Sequence, residues 1–348
     1  MAATTTAMKS TPSPVRLSPN SRLTEMSGTT NITRRQALAG LALTSTAVAC
    51  LPIVAAAAKK QYDLKPKKVA DGLWMIEGAT EYFTDKNGGA IVNCVLIDTS
   101  DGMVVVDTGA SLRYGQALRD VAVNLNPRGI AAAINTHHHP DHFFGNQVFS
   151  DKPIYALAGT KKLAETEGDA FSDNMYRLLG DWMRGTEVTP PNAVINSSSI
   201  KIGDREFIVY PLDGHTSSDL ALLDKKTGTL VTGDLAFLDR APTTPHADLK
   251  KWQAAIADLK NVNSSGIIPG HGPFDPSGKS LEQTSDYLTW LDKALRKFAA
   301  EGLDMVEILD AKIPTEFSSM GAMPYEFQRS IAHLYPDIER QVLPLTNR

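Results

Sequence analysis

Between residues 70 and 275 the chain alternates short apolar runs with glycine-bearing turns, the pattern of strands joined by tight loops. Gly72 to Gly78 opens the series. Ala90 to Asp98 and Met103 to Asp107 read as a hairpin across Ser100-Asp101-Gly102, ending in Val106-Asp107-Thr108-Gly109. Ser111 to Leu125 has helical spacing, with Ser111 placed to cap it. Ile130-Ala131-Ala132-Ala133-Ile134 is a buried strand and Pro153 to Leu157 a shorter one. Residues 160–185 are helical, with Phe171, Met175, Leu178, Leu179, Trp182 and Met183 at helical spacing. Ser198 to Ile202 with Arg205 to Pro211, and Asp219 to Leu223 with Thr229 to Thr232, form two further hairpins. Leu249 to Lys260 is a helix capped by Asp248, and Gly266 to Pro269 is a short strand. The rest is helical: Leu281 to Gly302, Asp304 to Ala311 and Tyr325 to Val342. The repeated strand pairs suggest two similar halves of one α/β domain over residues 70–348, with residues 280–348 as a helical extension.

The first 58 residues read differently. Residues 1–30 are rich in Thr, Ser and Pro, a composition that stays disordered. Arg34-Arg35 then precede a moderately apolar run from Ala37 to Ala58, which looks like a twin-arginine (Tat) export signal. Small residues from Ala55 to Ala58 offer a cleavage site, so the mature chain is expected to start near Lys59, in the periplasm. The alternative is an uncleaved anchor, since the run is close to the ~20 residues that span a bilayer. Gly40, Thr44, Ser45, Thr46 and Pro52 make it a poor one, and no stable insertion is expected after cleavage. A lipid anchor on Cys50 is weaker still, and Met26 would start a more compact signal. Five lysines in residues 59–69 mark a solvated linker.

Charge narrows the partners. The formal charge is −4. Residues 1–58 hold five basic residues and one acid, which leaves 30 basic against 38 acidic residues and a charge of −8. That argues against nucleic acid, whose recognition needs a basic patch. A small-molecule or carrier-bound substrate fits, and the oligomeric state stays open. Cys94 lies in the apolar run Ile91 to Ile97 and reads as a buried, inert thiol.

The candidate chemistry starts at Thr136-His137-His138-His139-Pro140-Asp141-His142, directly after the buried strand. His137, His139, Asp141 and His142 spell H-x-H-x-D-H. Imidazole and carboxylate suit a borderline cation such as zinc. Alternate residues of an extended segment point the same way, so His137 and His139 can clamp one ion, while Asp141 and His142 can reach a second. His215 (Asp-Gly-His-Thr), Asp234 (Thr-Gly-Asp) and His271 (Pro-Gly-His-Gly) each follow an apolar run at a glycine turn. Strands thus deliver ligands to loops at one edge.

In this order and spacing the motifs resemble those of the metallo-β-lactamase superfamily, over roughly residues 70 to 275. The resemblance implies an αββα sandwich. It implies that His137, His139 and His215 hold one Zn2+, that Asp141, His142 and His271 hold a second, and that Asp234 bridges them. A metal-bridging hydroxide would attack a carbonyl, with Asp141, His215 and Asp234 assigned to catalysis. Asp107 would orient the metal loop from behind rather than ligate. An aspartate at 234, where many β-lactamases of the superfamily carry something else, points to thioesterase-like hydrolases. The Tat signal, the Thr-Gly-Asp-Leu-Ala-Phe turn at 232–237 and the Pro-Thr-Thr-Pro-His loop at 242–246 look like the exported zinc metallohydrolases associated with quinoprotein dehydrogenase and Sox-type systems.

Four further residues are open to two readings. Trp182 (with Tyr176) either packs the core or faces substrate. Arg240 either pairs an anionic group or is a plain loop residue, and His246 either shuttles a proton or is likewise plain. The leading expectation is an exported dinuclear zinc hydrolase of a thioester or related ester or amide. The alternatives are a β-lactamase, a persulfide dioxygenase with one Fe2+ on the same ligands, and a non-catalytic metal-binding partner of a carrier protein.

Overall fold

The computed structural model describes residues 60–343, so the expectations for the export signal lie outside the described residues. Two sheets pack face to face with helices on both outer surfaces. The first sheet has the order β1(Pro66–Ala70), β2(Leu73–Ile76), β3(Cys94–Thr99), β4(Gly102–Val106), β5(Ile130–Ile134), β6(Ile154–Ala156), β7(Ala193–Val194). It is antiparallel from β1 to β4 and parallel from β4 to β7. The second sheet places β8(Ser199–Ile202), β9(Arg205–Leu212), β10(Asp219–Asp224), β11(Thr229–Phe237) and β12(Gly266–His271) in that spatial order. β11 and β12 run parallel, and the other pairs antiparallel.

Strand alternation builds three apolar layers. Cys94 and Leu96 of β3, with Met103 and Val105 of β4, face outward onto α1(Leu112–Leu125) and α3(Ala158–Leu179). Their neighbours Val95, Ile97, Val104 and Val106 face inward and meet Phe207, Val209, Leu220, Leu222, Val231 and Ile268 of the second sheet. Ala221, Leu230 and Ile267 face the other way, onto α4(Leu249–Lys260), α5(Lys279–Ala300) and α8(Tyr325–Val342). The layering is αββα, with the C-terminal helices added to the second sheet. Each fully buried Val or Leu in these layers contributes about 1.5–3 kcal/mol.

Caps set two helix starts as the sequence indicates. Ser111 accepts from the Tyr114 amide, and Asp248 from those of Lys250 and Lys251. Elsewhere the boundaries differ. The linker expected over residues 59–69 is instead partly folded: β1 begins at Pro66, and buried Tyr62 donates to the Gly88 carbonyl at 2.6 Å. An aromatic with a satisfied hydroxyl outweighs the lysines around it. The helix expected to 185 ends at Leu179, where Gly180 takes φ +54°, and a 3-10 turn follows over Gly180–Met183. β11 does not stop at Thr232 but continues past a register shift near Gly233 to Phe237, so Asp234 lies within a strand. Residues 304–311 form the single turn α6(Met305–Ile308), and α7(Thr315–Ser318) is a turn the pattern did not signal.

One polar contact locks the sheets together at the end remote from the histidines. Arg205 of β9 and Asp224 of β10 are both buried and pair at 2.6 Å. Arg205 also donates to the carbonyls of Asp98 at 3.0 Å and Asp71 at 2.7 Å in the first sheet. Removing the guanidinium strands a buried carboxylate and two carbonyls. Arg205→Ala should therefore cost about 3–5 kcal/mol of unfolding free energy, measured by urea denaturation. A cost below about 1 kcal/mol would show that the pair is not a clamp.

Candidate metal centre

The chemistry-bearing residues gather along one edge of the sandwich. Asp107 follows β4, and His137 to His142 follow β5, with Asp141 and His142 on the single turn α2(Pro140–Phe143). Pro140 opens that turn at a position where its missing amide costs nothing. His215 lies between β9 and β10, Asp234 in β11, and His271 ends β12. Glycines permit the close approach at two of these points. Gly214 has φ +150°, and a β-carbon there would collide with the Trp252 backbone. A β-carbon on Gly270 would collide with the Asp234 carboxylate.

All seven donor residues are buried. They form two groups. Donor atoms of His137, His139, His215 and Asp234 lie within 4.8 Å of one another, and so do those of Asp141, His142 and His271. Asp234 links them. Its Oδ2 lies 3.3 Å from His215 Nε2 and 3.9 Å from His137 Nε2. Its Oδ1 lies 3.1 Å from His142 Nε2 and 3.3 Å from His271 Nε2. One carboxylate thus presents one oxygen to each group.

The ring tautomers follow from the outer partners. His271 Nδ1 donates to the Ile91 carbonyl at 2.7 Å, and His142 Nδ1 to Asp107 Oδ2 at 2.8 Å. Thr136 donates its hydroxyl to Asp107 Oδ2 at 2.8 Å, so His137 Nδ1 donates to that hydroxyl at 3.1 Å. In each ring Nε2 is the nitrogen aimed inward, as a lone pair in the neutral His137 and His271 rings and, in His142, carrying the proton that a cation would displace. His139 is the inverse: Nδ1 faces His215 Nε2 at 2.9 Å, and Nε2 faces His246 Nδ1 at 2.8 Å.

Asp107 holds this frame. It also accepts the Thr136 amide at 2.8 Å, and its backbone takes φ +59°, a left-handed conformation that aspartate tolerates better than most residues. The sequence placed it behind the metal loop, and its carboxylate lies there. Asp219 plays a similar part at His215: it accepts the Thr216 amide at 2.9 Å and the Thr216 hydroxyl at 2.7 Å.

Charges at the centre oppose one another. Burial disfavours the ionised Asp234 carboxylate, but His271, His142 and His215 outweigh it and hold the group well below the usual carboxylate range. Burial also disfavours a cationic His142, yet Asp234, Asp107 and Asp141 push it well above its ordinary value. His137 and His139 are held well below theirs, first by burial and then by neighbouring imidazoles. Burial raises the Cys94 thiol well above its usual value, so it stays unreactive.

A narrow cleft of about 80 Å³ opens onto the donors. Tyr82, Phe83 and Ile91 line it, with Phe171 and Met175 of α3 and Glu326 and Arg329 of α8. His246 also lines it. Trp182 does not: its indole packs on Tyr62 and donates to the Asp85 carbonyl at 2.8 Å, so it braces a loop from beneath. Tyr176 is exposed and is not among the cleft residues either. Arg240 lines the cleft, but its donors are engaged by Glu326 at 3.1 Å, Thr243 at 3.0 Å and the carbonyls of Ala241 and Glu81. The anion it pairs is therefore Glu326 of its own chain.

Some contributors escaped sequence reasoning. Asn93 donates to the carbonyls of Pro269 at 2.8 Å and Gly272 at 2.7 Å, fixing the His271 turn. Its signal was a lone amide inside an apolar run. Glu167 accepts from His138 Nε2 at 3.1 Å, and nothing in its helical context marked it. Glu326 and Arg329 lie far along the chain in a segment without recognisable chemistry.

The donor set fits a metal. His137 Nε2, His142 Nε2 and Asp234 Oδ1 are buried with no hydrogen-bond partner among the described residues. Buried polar atoms are ordinarily paired, and these converge on one another instead. Two sheets between helices, with a cleft over buried His and Asp donors at one edge, define a metal-dependent hydrolase. Residues 87–271 match the family described as "Metallo-beta-lactamase superfamily", and the chain belongs to it. An acyl-coenzyme A thioesterase of Bos taurus is 28% identical over 254 residues, 64% of this chain and 86% of that protein. A beta-lactamase-like protein 2 homolog of Caenorhabditis elegans is 25% identical over 198 residues, 56% of this chain, and the match spans 60% of that protein's length. A metallo-beta-lactamase from Pontibacter korlensis superposes with a TM-score of 0.53 at 21% identity, covering 65% of this chain and 99% of that one.

Two predictions follow from the frame. Asp107→Asn keeps a residue that accepts the left-handed backbone but removes the anion, so zinc affinity should fall by about 10–100-fold in chelator competition. An unchanged affinity would remove Asp107 from the support of the centre. Because Asp234, Asp107 and Asp141 favour the charged form of His142, an added cation such as zinc has to displace a proton there. Binding at pH 7 should release protons, visible as a buffer-dependent enthalpy in calorimetry, and should tighten as pH rises. A buffer-independent enthalpy would contradict this.

Proposed function

We propose that the protein is an exported dinuclear zinc hydrolase that cleaves a thioester or a related ester or amide. The observation that carries this reading is the Asp234 carboxylate, with one oxygen toward each donor group. His137, His139 and His215 with Asp234 would hold one ion, and Asp141, His142 and His271 with Asp234 the other. When bound, such ions polarise a carbonyl and bring a water's pKa down to about 7.

The chain's own residues do the rest. Asp107, Ile91 and Thr136 hold protons on the outer nitrogens of His142, His271 and His137, so the inner nitrogens are the ones turned to ligate. Phe237 stacks on His271 at 5.2 Å, and Trp252 packs edge-on against His215 at 4.9 Å, which keeps both rings from turning and excludes water behind them. Tyr82, Phe83, Phe171 and Met175 give the cleft apolar walls that suit an acyl chain. A thiolate leaves without needing a proton, which favours a thioester in a site built from metal donors. The similarity to an acyl-coenzyme A thioesterase supports this class of substrate, and a carrier-bound thioester is the form we favour. Arg34-Arg35 before an apolar run supports export to the periplasm.

Protein purified without added metal should contain two zinc ions per chain by elemental analysis and hydrolyse simple acyl thioesters. His139→Ala should lower turnover by more than about 100-fold, since it removes a ligand rather than a supporting group. One iron per chain with oxygen consumption on a persulfide, or nitrocefin turnover exceeding that of every thioester, would overturn the assignment. Export is tested separately: replacing Arg34 and Arg35 with lysine should keep the protein in the cytoplasm, and an unchanged periplasmic yield would refute the route.

A further inference from the structure

His139 differs from His137, His142 and His271 in how its outer nitrogen is satisfied, and from His215, whose Nδ1 has no partner among the described residues. His142 has a carboxylate, His271 a carbonyl and His137 a hydroxyl. His139 Nε2 meets a second imidazole, His246 Nδ1, at 2.8 Å. A neutral ring carries one proton. For His139 Nδ1 to present a lone pair beside His215, the proton must sit on Nε2, and His246 Nδ1 is the acceptor placed to receive it.

His246 itself is exposed and stands on the loop between β11 and α4. Such a position would wander unless held, and the holding comes from the helical extension. Buried Glu326 of α8 pairs with buried Arg240 at 3.1 Å and accepts from Thr243 at 3.0 Å. Thr244 donates to Ser330 of α8 at 2.7 Å. The Ala241 amide donates to the Gly321 carbonyl at 3.0 Å, and the Gly321 amide to Asp239 at 2.9 Å. On the far side of His246, the Asp248 amide donates to Gly214, next to His215, at 2.9 Å. Pro242 and Pro245 further restrict the backbone between these ties.

We infer that His246 is a positioning residue that fixes the tautomer and ring orientation of His139, and that α8 holds it in place through Glu326 and Ser330. This rests on the reading of His139 as a metal ligand. The helical extension then belongs to the metal centre, although it touches no donor directly.

The test uses the full-length metal-loaded protein with zinc affinity and the visible spectrum of the cobalt-substituted form as readouts. His246→Phe removes the acceptor from an exposed loop position and should not disturb folding. It should weaken one of the two ions by about 10–100-fold and shift the cobalt bands, with the second ion unaffected. His246→Asn retains an acceptor oxygen near the Nδ1 position and should restore affinity to within a few-fold of wild type. Ser330→Ala should shift the cobalt bands in the same direction as His246→Phe, by less. Wild-type behaviour of His246→Phe in a protein that binds two ions overturns the inference alone. So does failure of His246→Asn to rescue, because the side chain would then act only as bulk. An unshifted Ser330→Ala spectrum removes α8 from the proposal. A wild-type protein that binds no metal brings down the inference and the proposed function together.

Discussion

Each oxygen of the Asp234 carboxylate faces a different group of buried imidazoles, and the rest of the edge is arranged so that this can hold. A carboxylate in that position is stable only as the anion, and only while the surrounding rings offer compensating charge or donors. Asp234 comes from the second sheet and the His137 to His142 turn from the first. The two sheets must therefore meet in fixed register before the groups can form. The inner apolar layer, where Val104 and Val106 meet Phe207, Leu220 and Val231, sets that register. Arg205 fastens the opposite end, with one hydrogen-bonding fork reaching both sheets.

Around the donors lies a shell of groups that decide where protons sit. Asp107, Thr136, the Ile91 carbonyl and His246 each meet an outer ring nitrogen. Charged, neutral and backbone acceptors are all used. Asn93 and Asp219 act on the backbone instead, and so fix the turns from which His271 and His215 project. Geometry at the centre is thus set twice, once through side-chain orientation and once through loop shape.

Much of this was legible in the sequence, for a physical reason. Strand alternation and glycine turns announce themselves locally, and H-x-H-x-D-H gathers four donor residues in six positions. The caps at Ser111 and Asp248 could be read from such local signals, while the αββα layering and the place of Asp107 followed from the resemblance that the motifs carry. What could not be read depends on distant partners. Tyr62 is buried because of Gly88 and Trp182, not because of its lysine-rich neighbours. Trp182 has helical spacing whether it faces the cleft or the loop beneath, so its sequence could not choose. Arg240 looked available for a ligand because Glu326, its partner, lies 86 residues away. The run of β11 through Asp234 depends on parallel pairing with β12, which a glycine at 233 gives no hint of.

The parallel pairing of β11 with β12 has a bearing on how the chain is made. β12 is laid down well after the H-x-H-x-D-H turn, and α8 later still. During synthesis a nascent chain holds three imidazoles and a carboxylate of that turn while lacking every donor from the second sheet. Pairings this distant in sequence also form slowly, which lengthens the interval of exposure. The donors of the second sheet are therefore the last to join the cluster as the chain is made.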